Sequence, residues 1–323
     1  MIPFRSITVV GAGAIGGWVA GRLALAGNAV SVVARGSTLE ALGRDGLHLT
    51  EAGQTNVAPV AAIDDPAALD PQDLVIIAVK APALADTAEL ARPLIGPATL
   101  IVPMLNGVPW WFTPEPLRSV DRHGRIAEAL PLDHLIGCVV HASCFRSAPN
   151  AISVKHADKL ILGEPEGGTS ERVGSLCELF GASGIRAEQS SDVRRAIWYK
   201  LWGNATINPL SALTRVTADK LLADLTIREF MAEAMDELAA VGSAIGCPIS
   251  QSAEERMGVT ARLGAFKSSM LQDVEAYRPV ELEALLGAPL EIAERAGVST
   301  PQLKKIYAMT KLLSDSLKLS DPA

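Results

Sequence analysis

The sequence predicts an α/β domain over residues 1–190, followed by an all-helical domain over residues 191–323. In the first half, short apolar runs bounded by turn residues alternate with helical stretches, which is the pattern of a parallel sheet covered by helices. From about Asp192 onward, apolar residues recur at helical spacing and the strand signals stop. A length of 323 residues is also sufficient for two domains with separate cores.

A glycine motif follows the first predicted strand, Ile7–Val10. Its residues have the spacing G-x-G-x-x-G and run Gly11, Ala12, Gly13, Ala14, Ile15, Gly16, with a helix predicted over 14–26. Gly11 permits a tight turn, Gly13 lets a pyrophosphate approach the backbone, and Gly16 brings the helix close to the strand. The N–H groups at the helix start then face the phosphates. The order of strand, turn and helix favours a Rossmann-type dinucleotide site over an ordinary tight βα turn.

The second predicted strand, 29–34, ends at Arg35, which is followed by Gly36, Ser37 and Thr38. Folds that prefer NAD usually carry Asp or Glu here to bind the ribose 2′-hydroxyl. A guanidinium instead forms two bonds to a phosphate, and nearby hydroxyls can add more. We therefore expect NADP(H) as the cofactor, with a solvated surface arginine as the alternative interpretation of Arg35.

Later apolar runs complete the predicted sheet. Continuous runs at 73–79 and 99–102 indicate buried parallel strands. Runs at 137–143, 151–154 and 160–162 follow one another without helices between them, which predicts an antiparallel extension at one edge of the sheet. Residues 117–130 are interpreted as an insertion or an irregular connection. Helices are predicted at 171–180, 226–245, 252–263, 269–277, 279–296 and 301–317, the last with Thr300 as its cap and Pro301 in its first turn.

Composition excludes several classes of protein. A formal net charge of −7, without clustered Lys and Arg, is unlike a nucleic-acid-binding surface. The chain has no signal-peptide pattern and no apolar run of the length that spans a membrane. Its scattered cysteines and histidines form no metal-ligand grouping, and free thiols indicate a cytoplasmic protein. The four cysteines are Cys138, Cys144, Cys177 and Cys247.

The helical half opens with a polar face. Lys200, Asn204 and Asn208 are spaced i, i+4 and i+8, so they lie on one face of a helix. Asparagine is a poor helix former, so two of them at consecutive turns carry a local cost. Pro209 is expected to end or bend this helix at Asn208. Taken alone, Lys200 could be a surface lysine. The residues expected to bury the rest of the helix are Trp198, Leu201, Trp202 and Ala205.

A third segment has structural and functional interpretations of similar weight. Ser269 and Gln272 have the spacing of a capping box, and Glu281 would lie in the first turn of a helix opened by Pro279. Ser269 and Glu281 could instead belong to a binding site.

These motifs make the chain similar to the ketopantoate reductase, or 2-dehydropantoate 2-reductase, family. The resemblance implies a Rossmann domain, a helical domain, and a cleft between them that holds NADPH and an α-keto acid. It runs from the first strand to near the C-terminus. The motifs that carry it are Gly11 to Gly16, Lys80, Asn106-Gly107, the Lys200-Asn204-Asn208 spacing with Pro209, and 268–273 with Glu281.

The resemblance implies a role for each matching residue. Lys200 matches the catalytic lysine, a general acid for the developing alkoxide, and Glu281 matches an active-site glutamate. Asn204, Asn208 and Ser269 match substrate-binding positions. The cofactor-binding positions are Gly11, Gly13, Ala14, Ile15, Gly16, Arg35, Lys80 and Asn106.

The expected function is NADPH-dependent reduction of ketopantoate to pantoate, in the pathway to pantothenate and coenzyme A. The alternatives are a reductase of a bulkier or more apolar 2-oxo acid, and a non-catalytic NADPH-binding regulator. The expected partner is a small 2-oxo acid, with neither nucleic acid nor membrane, and the helical domain could support a homodimer. Trp110, Trp111 and Phe112 are interpreted as a packed loop or a subunit contact, or alternatively as the lining of the pocket.

Overall fold

The computed structural model describes residues 2–318, which divide into two compact units. The first comprises the described residues up to Leu105 together with Gly124–Ala196. The second comprises Asn106–His123 and the described residues from Ile197 onward. The sequence analysis had assigned the segment 106–123 to the first domain, and in the structure it packs with the helical unit.

The first unit contains all ten strands of the described chain. In chain order its elements are β1 (Ile7–Val10), α1 (Ala14–Leu25), β2 (Val30–Val33), α2 (Gly36–Asp45), β3 (Leu47–Glu51), β4 (Gln54–Ala58), β5 (Ala61–Ile63), β6 (Leu74–Ile77), α3 (Leu84–Ala91), β7 (Leu100–Pro103), α4 (Arg125–Ala129), β8 (Gly137–Ala148), β9 (Ala151–Gly163), α5 (Glu171–Ala182) and β10 (Ala187–Gln189).

Five short strands form the predicted parallel sheet, in the order β5-β2-β1-β6-β7. Central strand β1 pairs with β2 on one side and β6 on the other, so that Ile7 aligns with Val30 and Leu74. The strands of the centre are buried, which is why their sequences are continuously apolar. The chain first adds strands on the β2 side and then on the β6 side. The switch point between β1 and β6 is where ligands bind in sheets of this kind.

The predicted antiparallel pairing of these runs is confirmed, but their predicted place at the edge of the parallel sheet is wrong, because they form a separate sheet. Strands β8 and β9 make one long antiparallel hairpin. The other edge of β9 pairs in parallel with β3 through its first half and with β10 through its second. Strand β4 completes this sheet through a tight β3–β4 hairpin, whose turn residues Ala52 and Gly53 both have positive φ. Strands β9 and β3 are about a hundred residues apart, so no local sequence pattern predicts that they pair.

Helix α1 contacts strands of both sheets and is buried from Gly16 to Gly21. A Cβ at Gly17 would lie 2.7 Å from Ile152 Cγ1 on β9, and a Cβ at Gly21 would lie 3.3 Å from Leu49 Cδ2 on β3. Glycine at these two positions therefore lets α1 pack closely against the second sheet. The helix that follows the dinucleotide motif is thus part of the interior of the unit.

The second unit is helical, as predicted, with one helix that the sequence analysis missed, at 218–223. No helix within residues 2–318 is long and apolar enough to cross a membrane. The helices are α6 (Val193–Thr214, which begins in the first unit), α7 (Ala218–Ala223), α8 (Leu225–Ala244), α9 (Ala253–Ala261), α10 (Ser269–Glu275), a π-helical turn (Glu283–Gly287), α11 (Ala288–Arg295) and α12 (Pro301–Ser316).

Two tryptophans attach α6 to α8. Trp198 Nε1 donates to the Leu238 carbonyl at 3.1 Å and Trp202 Nε1 to the Met235 carbonyl at 2.7 Å. Both indoles are fully buried, which confirms the predicted apolar side of this helix. Pro209 does not end α6, which continues to Thr214. Burial of the residues after the proline offsets the one backbone hydrogen bond that it removes.

The predicted starts of α10 at Ser269 and α12 at Pro301 are confirmed, whereas two predicted caps and the start predicted at Pro279 are wrong. The residue that caps α10 is Ser268, whose Oγ accepts from Leu271 N at 3.1 Å, so the predicted capping box at Ser269 is shifted by one position. The helix predicted to open at Pro279 begins at Leu282, and Glu281 precedes it. Tyr277 has a φ of 51°, and residues 278–281 are not helical. Thr300 precedes α12, but its side chain makes no capping hydrogen bond.

Replacement of Gly17 should separate close packing from helix propensity. We expect Gly17→Ala to lower the free energy of unfolding by about 1–3 kcal/mol, because the new Cβ would collide with the buried Ile152 side chain. Gly43→Ala, in α2, is the matched control, since its Cβ would meet nothing within 4 Å. Alanine there should stabilise by about 0.5–1 kcal/mol. Urea unfolding of both variants gives the comparison, and equal effects would contradict the packing of α1 on β9.

Candidate functional site

Two of the three motif glycines are required by packing within the first unit. Gly11 has a φ of +108°, and a Cβ there would lie 2.8 Å from both the Ala78 carbonyl oxygen and Val79 Cγ1. At Gly16 a Cβ would collide with the Gly11 carbonyl oxygen. These contacts hold the start of α1 close to the ends of β1 and β6.

The third glycine faces open space. A Cβ at Gly13 would meet only the Ala78 carbonyl oxygen, at 3.8 Å. Gly13 is also the N-cap of α1, and no side chain caps the first-turn N–H groups, which include those of Ala14 and Ile15. Uncapped N–H groups at a helix N-terminus with space in front of them suit a phosphate. The residues present therefore fit the diphosphate of a dinucleotide.

Arg35 lies at the N-cap of α2 and is exposed. Among the described residues of the first unit, none forms a hydrogen bond or ion pair with its guanidinium. A second guanidinium reaches the same helix start, because Arg146 Nη1 on β8 donates to Thr38 Oγ1 at 3.4 Å. Sequence reasoning missed Arg146, since this contact joins residues 108 positions apart and follows from the second sheet. Two cations at one helix N-terminus suit a dianionic group such as a 2′-phosphate.

Lys80 follows β6 and begins a short 3₁₀ turn, Ala81–Ala83. Val10 pairs with Ile77 at the ends of adjacent strands, so the glycine turn and Lys80 leave the sheet at the same edge. Every predicted cofactor residue except Asn106 is thus near the carboxyl end of β1, β2 or β6.

The polar face of α6 belongs to the second unit. Lys200 and Asn204 are half-buried, and Asn208 is 5% exposed. A helix N-terminus adjoins this face, since Ser268 Oγ lies 3.4 Å from the Asn208 carbonyl oxygen. Ser269 is the first residue of α10 and is exposed. The structure therefore brings Ser269 to the Asn208 end of the predicted substrate-binding face.

Asn106 joins the same group from a distant part of the chain. Asn204 Nδ2 donates to Asn106 Oδ1 at 3.0 Å, and Asn106 Nδ2 donates to Glu281 Oε2 at 3.5 Å. The ionised carboxylate can only accept, so Asn106 presents its NH₂ group to Glu281 and its carbonyl to Asn204. One charge thereby determines the orientation of both amides. Sequence reasoning had placed Asn106 with the cofactor, and the structure groups it with Asn204 and Glu281.

The aromatic segment packs within the second unit. Trp110 and Phe112 are buried, and Phe112 stacks on Trp198 with ring centroids 5.8 Å apart. Trp111 is half-buried. The packed-loop interpretation is therefore the one that Trp110 and Phe112 support. Within the described residues, no group of three or more His, Cys, Asp and Glu side chains could hold a metal ion.

A Rossmann-type unit and a second unit rich in proton-donating and amide side chains are typical of nicotinamide-dependent oxidoreductases. Residues 7–167 match the family model described as ketopantoate reductase PanE/ApbA, and residues 192–314 match the model for its C-terminal part. The chain belongs to the ketopantoate reductase family, and it is an oxidoreductase.

Individual relatives agree with the family models. A 2-dehydropantoate 2-reductase of Mesorhizobium japonicum is 38% identical over 95% of this chain and 97% of its own length. A crystal structure from Ralstonia solanacearum MolK2, provisionally assigned as a ketopantoate reductase, is 48% identical with a TM-score of 0.96 and covers 98% of this chain and all of that one. The 2-dehydropantoate 2-reductase of Methylococcus capsulatus is 32% identical, with a TM-score of 0.84 and 98% of each chain covered.

Introducing a negative charge at position 106 tests the hydrogen bond between the Asn106 amide and Glu281. We expect Asn106→Asp to lower the free energy of unfolding at neutral pH by about 1–3 kcal/mol, because two carboxylates would then face each other where an amide N–H now meets one. The loss should shrink as pH falls toward the ordinary carboxyl range, since protonation removes the repulsion. Chemical unfolding at several pH values measures it.

The double variant Asn106→Asp with Glu281→Gln is the control. It places one carboxylate between two amide NH₂ groups, so most of the lost stability should return. A double variant as unstable as the single one would contradict the hydrogen bond between Asn106 and Glu281.

Proposed function

We propose that the protein reduces 2-dehydropantoate to pantoate with NADPH, a step toward pantothenate and coenzyme A. The observation that carries the proposal is the polar group of the second unit, in which the Lys200 face of α6 is joined through Asn204 and Asn106 to Glu281. The relatives named 2-dehydropantoate 2-reductase support the choice of substrate.

Lys200 acts as the general acid. Bound NADPH supplies the hydride that adds to the ketone carbon, and negative charge then develops on the carbonyl oxygen. The Lys200 ammonium stabilises this charge and transfers a proton to the oxygen, so that the product is a hydroxyl group. A half-buried lysine suits this role, because partial exclusion of water strengthens its interaction with the developing charge.

The amides and the Ser269 hydroxyl bind and orient the substrate. Asn204, Asn208 and Ser269 donate hydrogen bonds to its carboxylate and carbonyl groups, which holds the ketone in a reactive orientation. Glu281 accepts a hydrogen bond from the substrate hydroxyl. Glu281 also fixes the direction of the Asn106 and Asn204 amides.

NADPH is preferred over NADH because Arg35 and Arg146 both reach the start of α2. Only NADPH carries the 2′-phosphate that two guanidinium groups and a helix N-terminus would bind. Lys80 and the turn Gly11–Gly16 bind the remaining phosphates and the adjacent part of the cofactor.

A bulkier 2-oxo acid is the second candidate substrate. Trp110 and Phe112 are packed inside the second unit, which leaves half-buried Trp111 as the aromatic residue of this segment that could line a pocket. Initial rates of NADPH oxidation with ketopantoate and with branched and aromatic 2-oxo acids separate the two substrates. We also propose a cytoplasmic location, supported by four free cysteines, and a homodimer as the assembly.

Loss of the Lys200 ammonium should remove catalysis while leaving cofactor binding intact. We expect Lys200→Ala to lower kcat by about 10²- to 10⁴-fold, the usual contribution of a positioned general acid, with unchanged affinity for NADPH. Lys220→Ala, an exposed lysine on α7, is the control and should have wild-type kcat. Steady-state rates and NADPH fluorescence titration test both. NADPH binding by wild type without turnover of any 2-oxo acid would contradict the proposed reaction and favour the alternative of a non-catalytic NADPH-binding regulator.

Replacement of Arg35 should affect one nucleotide much more than the other. We expect Arg35→Ala to raise KM for NADPH by about 10- to 100-fold, because charge-assisted bonds to the phosphate are lost. KM for NADH should change little. Arg44→Ala, near the other end of α2, keeps the same helix and is the matched control. Equal changes with both nucleotides would contradict a 2′-phosphate contact at Arg35.

A further inference from the structure

A π-helical turn, Glu283–Gly287, begins two residues after Glu281. In this turn the Ala288 N–H donates to the Glu283 carbonyl, five residues back. In an α-helix the same N–H would donate to the Ala284 carbonyl, four residues back. The π register therefore releases the Ala284 carbonyl from Ala288. Single π turns are rare and frequently occur at functional sites.

Pro289 prevents the helix from recapturing that carbonyl. In the π register the donor for Ala284 would be position 289, and proline has no N–H. The Ala284 carbonyl instead accepts the Val108 N–H at 2.8 Å. One backbone acceptor is thus transferred from the helix to the loop that carries Asn106.

The loop is shaped to reach this acceptor. Gly107 has a φ of +84°, and a Cβ there would collide with the Ala284 carbonyl oxygen. Glycine is therefore required both by the backbone conformation and by the close approach. Because Asn106 immediately precedes Gly107, the contact to Ala284 limits where the Asn106 amide can lie.

A side-chain contact holds the outer side of the π turn. Tyr307 on α12 donates its hydroxyl to Glu283 Oε1 at 2.9 Å. Another oxygen of the same carboxylate occupies the space that a Cβ at Gly287 would need. Desolvation raises the pKa of the Glu283 carboxyl, and desolvation together with Glu283 raises the pKa of Tyr307 to about 12. The phenol therefore remains a donor throughout the neutral range.

We propose that the π turn and Pro289 are a positioning device for substrate recognition. They release the Ala284 carbonyl, which binds Val108 and holds the Asn106 amide between Asn204 and Glu281. Pro289, Ala284 and Gly107 are then positioning residues, which act on the 2-oxo acid through Asn106. The substrate in this inference rests on the proposed function, whereas the backbone contact does not.

Replacement of the proline is the direct test. Pro289→Ala supplies the missing N–H, so the helix competes with Val108 for the Ala284 carbonyl. We expect KM for the 2-oxo acid to rise about 3- to 10-fold, the value of one hydrogen bond, with KM for NADPH unchanged. Pro301→Ala, at the first position of α12, is the matched control and should leave both KM values unchanged. A wild-type KM for the 2-oxo acid in Pro289→Ala would overturn the proposal.

Introducing Pro289→Ala into an Asn106→Ala variant shows whether the proline acts on KM through Asn106. In an Asn106→Ala enzyme, addition of Pro289→Ala should change KM for the 2-oxo acid less than about twofold, because the positioned group is already absent. If Pro289→Ala acted by a general loss of structure, it would raise KM for the 2-oxo acid in the Asn106→Ala variant as much as it does in wild type. That result would also overturn the proposal.

Two further measurements keep the test independent of folding and of substrate. Gly107→Ala should reproduce the rise in KM, and Gly124→Ala is its control, with a φ of +71° and open space at the Cβ. Without substrate, hydrogen exchange of the Val108 amide should be faster in Pro289→Ala than in wild type. If wild type reduces no 2-oxo acid, the proposed function fails, and Val108 exchange still decides the inference. Unchanged exchange in Pro289→Ala would refute it.

Discussion

The polar group of the second unit depends on the Glu281 carboxylate. A carboxylate accepts hydrogen bonds and cannot donate them, so it determines which end of the Asn106 amide faces it. Asn106 then determines the orientation of Asn204, one turn along α6 from Lys200. Two amide side chains are thus oriented by one charge. Such order before substrate binds reduces the cost of orienting the ketone.

Glycines allow close approaches of the backbone in both units, and a different group is brought close in each. In the first unit, Gly16 and Gly17 let α1 approach the glycine turn and the second sheet, and Gly13 leaves space where a phosphate would lie. In the second unit, Gly107 lets the loop that carries Asn106 reach the Ala284 carbonyl. At Gly16, Gly17 and Gly107 a Cβ would collide with a neighbouring group, so the close approach requires glycine.

Local patterns predicted much of this architecture. Continuous apolar runs indicated β1, β6 and β7, and the four-residue spacing of Lys200, Asn204 and Asn208 indicated one face of α6. Local patterns did not predict other features of the structure. The hairpin β8–β9 was assigned to the wrong sheet, because strand order depends on partners far away in the chain. Pro209 suggested a helix end, yet tertiary burial sustains α6 beyond it. The predicted cap of α10, Ser269, is one residue away from the observed cap, Ser268, because two adjacent serines have the same capping ability.

The sequence by itself determined that an α/β part precedes a helical part, that a glycine turn opens α1, and that one polar face of α6 carries Lys200. Each of these follows from residues within a few turns of one another, where propensity and periodicity act. Tertiary structure decided which distant groups meet: Asn106 with Glu281 across 175 residues, Arg146 with Thr38 across 108, and Val108 with a carbonyl released by a π turn. Such contacts form because the core brings their elements together, and no local spacing encodes them.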